Sequence, residues 1–597
     1  TDEPDKYPLG TQWPPGVKVH HRDALDRIQR DARDWPGVSV IIYDQMCAAE
    51  KRRRRKRGLY PDPARRVFIN EAVCEGCGDC GLASNCLSIT PVETEFGRKR
   101  RIDQSTCNKD YSCLEGFCPS FVTVIGGRPR RGAAAAKVPA AAFEALPEPA
   151  LPALDEPYGI LVTGVGGTGV VTVGALLGMA AHLEGKGCSV LDMTGLAQKG
   201  GAVISHLRIA RRPEDIHAVR LAAGGARLVL GCDIVVAGGF EALAKIERGR
   251  TQAIINSHQT VTGSFTRDSD WSFPADALRD LIIEAAGARN VAFVDATGLA
   301  TALIGDSIAT NLFMLGNAWQ RGLIPVSAAA IERAIELNGV AVEQNLQAFL
   351  WGRRAVHDLA AVERQVGPAV ATAPDLARSV EDMVERRIAF LTNYQDAAYA
   401  RRYKDLVVAV QRAESRKVKD SDELTKAVAR YYFKLLAYKD EYEVARLYAD
   451  PAFRERLGQA FEGDVRLRFH LAPPLFAKRD PDTGLLKKRT YGPWMMGVFH
   501  LLAKLKRLRG TRLDPFALSA ERKTERRLIA DYEATIAELL QGLDRSNHGL
   551  AVEIASIPEH IRGFGHVKAR HLADAKTREA DLLQAFRSPE PAQTAAE

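Results

Sequence analysis

The stretch "ILVTGVGGTGVVTVGALLG", residues 160–178, decides the fold class of the chain around it. An apolar, β-branched run meets Gly164, Gly166 and Gly169, and a helical pattern follows at once. Such a strand-to-helix turn opens an α/β unit, because glycines close the turn and leave backbone amides free at a helix N-terminus. Working outward, residues 158–355 alternate apolar runs ("CSVLDM", "LVLGCDIVVAGG", "TQAIINS", "NVAFVDA") with helical patterns such as "PVSAAAIERAIELNGVAVEQNLQAF". The alternation predicts a mostly parallel, Rossmann-like α/β domain over 157–355. The loop leaves two readings open. Gly164, Gly166, Gly167 and Gly169 let amides meet a diphosphate, with Asp192 closing the next strand where the ribose carboxylate of an NAD site stands; or they form a tight turn that packs without a nucleotide. Lys199, beside Gly200 and Gly201, is a candidate contact for a phosphate or a substrate carboxylate, or a plain exposed cation.

Toward the N-terminus, the Ala- and Pro-rich stretch 128–156 reads as an extended linker. Before it, "VCEGCGDCGLASNCLSITPVETEFGRKRRIDQSTCNKDYSCLEGFCPS", residues 73–120, holds seven of the ten cysteines. That crowding marks a metal site in a reducing compartment, the cytoplasm, rather than a disulfide scaffold. Cys74, Cys77 and Cys80 form a C-x2-C-x2-C loop, and Cys118 stands before Pro119. In the two-cluster ferredoxin pattern the Cys-Pro cysteine crosses to the other half's cluster. This predicts a small ferredoxin-like domain over 61–127 with a 4Fe-4S cluster on Cys74, Cys77, Cys80 and Cys118. A second group takes Cys107 and Cys113, six apart, with Cys86 crossing from the first half. Its vacant middle position falls on Asp110, so the second cluster is expected to be Asp-ligated or 3Fe-4S. A hard carboxylate oxygen suits this iron less well than a thiolate. Two spacings, Cys80 to Cys86 and Cys113 to Cys118, exceed the pattern, and no proline follows Cys86. Zinc competes for any C-x2-C, but its sites usually come as separated pairs. Cys47, Cys188 and Cys232 read as small buried hydrophobes. The histidines show no metal-ligand spacing, and none is assigned to catalysis.

Residues 17–43 read as strand, helix, strand, the tail of an α/β layer occupying 1–60, and the opening "TDEPDKYPLG" reads as a piece of something longer. Residues 375–597 are dominated by amphipathic stretches and are expected to be mainly helical. The net charge of +8 is modest for 597 residues, but "KRRRRKR" at 51–57 and the region 478–512 are strongly basic. Neither interleaves stacking aromatics, so nucleic acid is not an expected partner. No apolar run reaches the length of a transmembrane helix, and no membrane role is expected.

Together, "PVETEFGRKRRIDQSTCNKD", "GVGGTGV", "GLAQKGGAVISH", "NSHQTVTGSFT" and "GDSIATNLFMLGNAWQRGL" make the chain similar to the large fused indolepyruvate ferredoxin oxidoreductases of the 2-oxoacid:ferredoxin oxidoreductase family. The resemblance is strong through residue 355 and rests on less distinctive helical sequence beyond. It implies that 157–355 is the gamma domain, associated with coenzyme A and subunit packing rather than with NAD. It implies oxidative decarboxylation of an aryl pyruvate to acyl-CoA and carbon dioxide, with electrons passing through iron-sulfur clusters to ferredoxin. The thiamine diphosphate signature, a Gly-Asp-Gly followed downstream by paired asparagines, is missing; "IGDSIATN" is not it, and residues 17–60 resemble only the end of a thiamine-binding domain. The resemblance therefore implies a partner subunit or N-terminal half carrying thiamine diphosphate and magnesium, and a dimer of such units. Lys99, Arg100 and Arg101, close to the cysteines, are expected to steer an acidic ferredoxin. An iron-sulfur subunit of an NAD- or flavin-linked oxidoreductase is the alternative.

Overall fold

The computed structural model describes residues 1–130, 146–195, 201–366, 375–473, 477–481 and 484–588; Lys199 and Gly200 lie outside them. The chain divides into Thr1–Pro63 with Asn108–Asp110, and Ala64–Cys107 with Tyr111–Glu597. In the smaller unit, α1 (Leu25–Asp34) forms where the helical pattern predicted it, and the basic run lies in α2 (Ala48–Lys56). The flanking stretches expected as strands stay unpaired, with Val38, Val40 and Ile42 exposed by 92%, 80% and 83%. A strand exists only through its ladder, and within this unit these apolar segments find no neighbouring strand.

The larger unit begins with β1 (Arg65–Ile69), followed by α3 (Asp79–Ser84), the hairpin of β2 (Ile89–Val92) and β3 (Lys99–Ile102), and β4 (Phe121–Ile125), antiparallel to β1. The α/β part follows: β5 (Tyr158–Val165), α4 (Val170–Leu183), β6 (Gly187–Thr194), β7 (Ala202–Ala210), β8 (Leu228–Gly231), β9 (Gln252–Asn256), β10 (Val291–Val294), α5 (Ala296–Ile304), α6 (Thr310–Gln320), α7 (Ala328–Asn338) and α8 (Val342–His357). Its sheet runs β10-β9-β8-β5-β7-β6. Strands β5, β8, β9 and β10 are parallel, while β7 is antiparallel to both neighbours. The short connection from Thr194 to Ala202 explains the exception, since a parallel pair needs a crossover of a dozen or more residues. Every residue of α6 is buried. It crosses α8 at Gly316 and Gly352, each facing a carbonyl of the other helix where a methyl group would not fit.

The C-terminal part is mainly helical: α9 (Val380–Tyr394), α10 (Ala397–Lys417), α11 (Glu423–Leu436), α12 (Glu441–Ala449), α13 (Met495–Lys504), α14 (Ala520–Gly542), α15 (His548–Ser556) and α16 (Gly565–Arg587). Ser379, Asp396 and Ser519 cap α9, α10 and α14 by accepting from the third residue on, which satisfies amides the helices cannot. Tyr403, Tyr432 and Tyr532 stack at 6.1 and 5.9 Å across α10, α11 and α14. Among the strands that interrupt the helices, β11 (Arg466–Leu471) and β12 (Arg489–Tyr491) extend the first sheet to the order β1-β4-β11-β12. The cysteine segment thus shares its sheet with residues far along the chain. As an inner strand β4 buries Phe121, Val122, Thr123 and Val124, pointing to both faces.

Candidate functional site

The loop after β1 turns through Gly76 and Gly78, at φ +68° and +81°, a backbone that brings Cys74, Cys77 and Cys80 close together. Gly76 cannot carry a side chain because Arg98 O lies against it. Its amide donates to Cys74 Sγ at 3.3 Å, the kind of donor that tunes a metal-bound sulfur. The neighbours each thiol feels sort the cysteines into two groups. Burial, then Cys118 and Cys74, push the Cys77 thiol up; burial, then Cys74, Cys77 and Cys118, push up Cys80; burial, then Cys74, push up Cys118. Burial, then Cys107 and Cys86, push Cys113 up to about 12. The structure therefore brings Cys74, Cys77, Cys80 and Cys118 together, and separately Cys86, Cys107 and Cys113. Asp110 belongs to the smaller unit, where Arg22 donates to its Oδ1 at 3.2 Å.

This donor set fits a polynuclear iron-sulfur group. Among the described residues no three His, Cys, Asp or Glu side chains converge as ligands of one ion would; a 4Fe-4S cluster instead takes its cysteines on different irons. The four thiols of the first group would hold it, and it would supply one-electron storage and transfer. Cations surround them. Lys439 Nζ pairs with Glu75 at 2.6 Å and donates to Cys74 O at 3.1 Å, while Lys488 donates to the carbonyls of Leu114 and Gly116. Burial pushes the Glu75 carboxyl up, but Lys439, Lys99, Lys568 and Lys434 outweigh it and bring it down to about 2. Beside Cys118 and Pro119 a cavity of about 540 Å³, walled by Phe117, Tyr491, Trp494, Phe499, Phe516 and Phe564, keeps the surroundings apolar. Charges act strongly there.

The expectation that Lys99, Arg100 and Arg101 steer a partner is corrected for the first two, while Arg101 is exposed. Lys99 and Arg100 are buried; Arg100 donates to Ser269 O at 2.8 Å and stacks on Phe265, and Arg101 pairs with Glu71 at 2.6 Å. Sequence reading missed Lys434, Lys439 and Lys568 because nothing local in a helical pattern marks the side that meets a distant loop.

At the second candidate site, β5 delivers the glycine loop to α4. Gly164 is a packing glycine: a methyl there would lie 2.6 Å from Val170 Cγ2 and 3.3 Å from Cys232 Cβ. Gly167 and Gly169 have φ of +84° and +101°, and nothing lies within 4 Å of a side chain at Gly167. The Gly166 amide already donates to Gly201 O at 2.7 Å. Around the loop, at the carboxyl ends of the parallel strands, Asn311 Nδ2 donates to Thr168 O at 3.2 Å and His258 Nδ1 lies 3.0 Å from Asp295 Oδ1. This is where open α/β sheets place ligands. Burial pushes Asp295 up, but His258 and the Gly298 amide outweigh it and hold it below the usual range. Asp192 lies on β6, which β7 separates from β5. A ribose carboxylate closes the strand beside the glycine strand, and that geometry is absent.

Residues 159–355 match the family described as pyruvate ferredoxin/flavodoxin oxidoreductase. This segment is similar to the 2-oxoacid:ferredoxin oxidoreductases. Residues 380–581 match a family of unknown function, DUF6537. The chain is 28% identical over 211 residues to the indolepyruvate oxidoreductase subunit IorB of Pyrococcus horikoshii, covering 34% of this chain and 97% of that one. The IorB subunit of Methanothermobacter thermautotrophicus is 27% identical over 194 residues, 32% of this chain and 94% of its own. Among solved structures it is similar to the pyruvate oxidoreductase subunit PORC of Thermotoga maritima, at 20% identity and TM-score 0.25 over 34% of this chain and 97% of that one. It is also similar to the 2-oxoglutarate:ferredoxin oxidoreductase of Magnetococcus marinus with 2-oxoglutarate, coenzyme A and succinyl-CoA bound, at 14% identity and TM-score 0.27, over 37% and 33% of the two chains. Among the described residues no helix is long and apolar enough to cross a membrane.

Proposed function

We propose that this chain is the electron-transfer and coenzyme A half of an aryl-pyruvate, indolepyruvate-type ferredoxin oxidoreductase. The overall reaction takes a 2-oxo acid, coenzyme A and two oxidised ferredoxins to acyl-CoA, carbon dioxide, two reduced ferredoxins and a proton. Thiamine diphosphate with magnesium, on a partner subunit or N-terminal half, supplies the decarboxylation chemistry. Cys74, Cys77, Cys80 and Cys118 are the residues for the first cluster, and Cys86, Cys107 and Cys113 those for the second. The glycine loop offers coenzyme A the open turn at Gly167 and Gly169 and the N-terminus of the 14-residue helix α4. Lys199 and Gly200 stay candidates from the sequence alone.

One observation carries this reading: four thiols close enough to act on one another, in a chain whose 159–355 segment matches the pyruvate ferredoxin/flavodoxin oxidoreductase family. The relatives' name, indolepyruvate oxidoreductase, supports the substrate class. The test is reconstitution. The chain alone is expected to show no oxo-acid activity, and addition of the thiamine-binding partner is expected to give coenzyme A-dependent reduction of ferredoxin or viologen by indolepyruvate. Activity from the chain alone contradicts the division of labour.

A further inference from the structure

We propose that the helical C-terminal domain, which matches a family of unknown function, sets the reduction potential of the group held by Cys74, Cys77, Cys80 and Cys118 through Lys434, Lys439, Lys488 and Lys568. The proposal rests on the iron-sulfur reading of those thiols.

This domain grips the thiol loop directly. Tyr448 Oη donates to Pro119 O at 2.6 Å, Asn70 Nδ2 to Leu447 O at 3.2 Å, the rings of Phe117 and His566 meet at 4.8 Å, and Gly563 lies against Cys77. The grip carries cations inward. Lys439 follows α11 and reaches Glu75 and Cys74 O with a side chain only 11% exposed. Lys434, on α11, is held by the carbonyls of Pro558 and Glu559, both at 2.8 Å, and among the described residues pairs with no carboxylate. Lys568, on α16, is 17% exposed and pairs with Glu525 at 2.6 Å. Lys488 stands near both thiol groups. From the cysteine segment, Lys99 and Arg100 add two more, with Arg100 facing Cys74, Cys80 and Cys77. The carboxylates set against this cluster of cations are Glu75, Asp79, Glu115 and Glu525.

Gathering this much positive charge out of water is costly unless a compensating anion lies beside it. Burial, with Arg562, Lys568 and Lys99 adding to it, pushes Lys434 down to about 7 even against the pull of Glu75. A cluster on four thiolates is an anion, and accepting one electron adds one negative charge. Fixed cations therefore favour the reduced state more than the oxidised state and raise the potential, and low-dielectric walls keep the effect from being screened. The oxidised ferredoxin regenerates the cluster, so the electron count of the overall reaction is unchanged.

The experiment is a redox titration of the anaerobically purified full chain, followed by EPR of the reduced cluster. Variants Lys439→Met and Lys568→Met keep length and remove charge, and Lys434→Met does so in a titration run below about pH 7. Each is expected to lower the reduced-to-oxidised ratio at fixed potential by up to tenfold, a shift of up to about 59 mV for a one-electron couple. Lys439→Arg is expected to restore the original midpoint, and Glu75→Gln to move it the opposite way. Should Lys439→Met lose iron through its contact with Cys74, Lys434→Met and Lys568→Met carry the test, since their hydrogen bonds go to no ligand residue. Iron content and midpoint both unchanged in these variants overturn the proposal and leave the cluster reading standing. An unmodified chain without iron-sulfur signal overturns that reading and the proposal with it.

Discussion

Gly164 and Gly167 separate two uses of glycine within one loop. Gly164→Ala forces a methyl against Val170 and Cys232, and overpacking of this kind costs about 1–3 kcal/mol; thermal or urea denaturation is expected to show it whether or not a ligand binds. Gly167→Ala meets open space at φ +84°, a strain of about 1–2 kcal/mol, and is expected to raise the KM for coenzyme A more than it lowers stability. Equal behaviour of the two variants in both assays would remove the loop from ligand binding. Asp440 makes a third case. Its carboxylate receives Arg509 Nε and Nη2 at 2.6 and 2.9 Å, and the guanidinium lies 3.7 Å over the Tyr394 ring. Asp440→Asn strands a buried cation and is expected to cost about 3–5 kcal/mol in denaturant unfolding. Much at this scale was readable in advance. The C-x2-C-x2-C spacing announces a thiol loop because three ligands within seven residues need one tight turn. The cations of "GRKRR" misled because charge reads as solvated, and only the contact with Ser269 and Phe265, far along the chain, shows that Arg100 is inside.

At the scale of elements, His470 ties three strands together. Its Nε2 lies 2.8 Å from Thr123 Oγ1 on β4 and its Nδ1 3.3 Å from Thr490 Oγ1 on β12. Burial, with Lys488, Arg468 and Arg65, pushes it from 6.5 down to about 4. The folded value lies below the unfolded one, so between pH 6.5 and 4 the unfolded chain binds the extra proton. Stability is full above pH 6.5 and falls as the pH drops toward 4, by less than a ceiling of about 3 kcal/mol because solvent screens the partly open ring. His470→Gln is expected to flatten the urea-unfolding profile across that window, and an unchanged profile would detach the histidine from the effect. The α/β pattern of 157–355 was legible because the strand-then-helix rhythm is local. The pairing of β4 with β11 was not, since two strands more than 300 residues apart leave no mark on either sequence. The stretch 38–43 has the composition of a strand and no ladder, so amide exchange there is expected to slow when the thiamine-binding partner is added. Exchange that stays fast would place the partner elsewhere.

At the scale of the whole molecule, a thiol-bearing sheet, an α/β domain matched to an oxidoreductase family and a cation-bearing helical domain share one compact unit. The sequence alone suggested the first two parts. It also predicted the helices of the third, but not its cations beside the thiol loop, because Lys434, Lys439 and Lys568 come near Glu75 only through tertiary packing. The claim on which everything depends is that Cys74, Cys77, Cys80 and Cys118 hold an iron-sulfur cluster. Iron and sulfide analysis of the anaerobically purified chain, with EPR after dithionite reduction, addresses it most directly. The account predicts about four irons for each cluster present and a reduced-cluster signal that Cys77→Ser abolishes while the Cys86, Cys107 and Cys113 group is untouched. Stoichiometric zinc with no iron and no EPR signal, or a signal that survives Cys77→Ser unchanged, would contradict it.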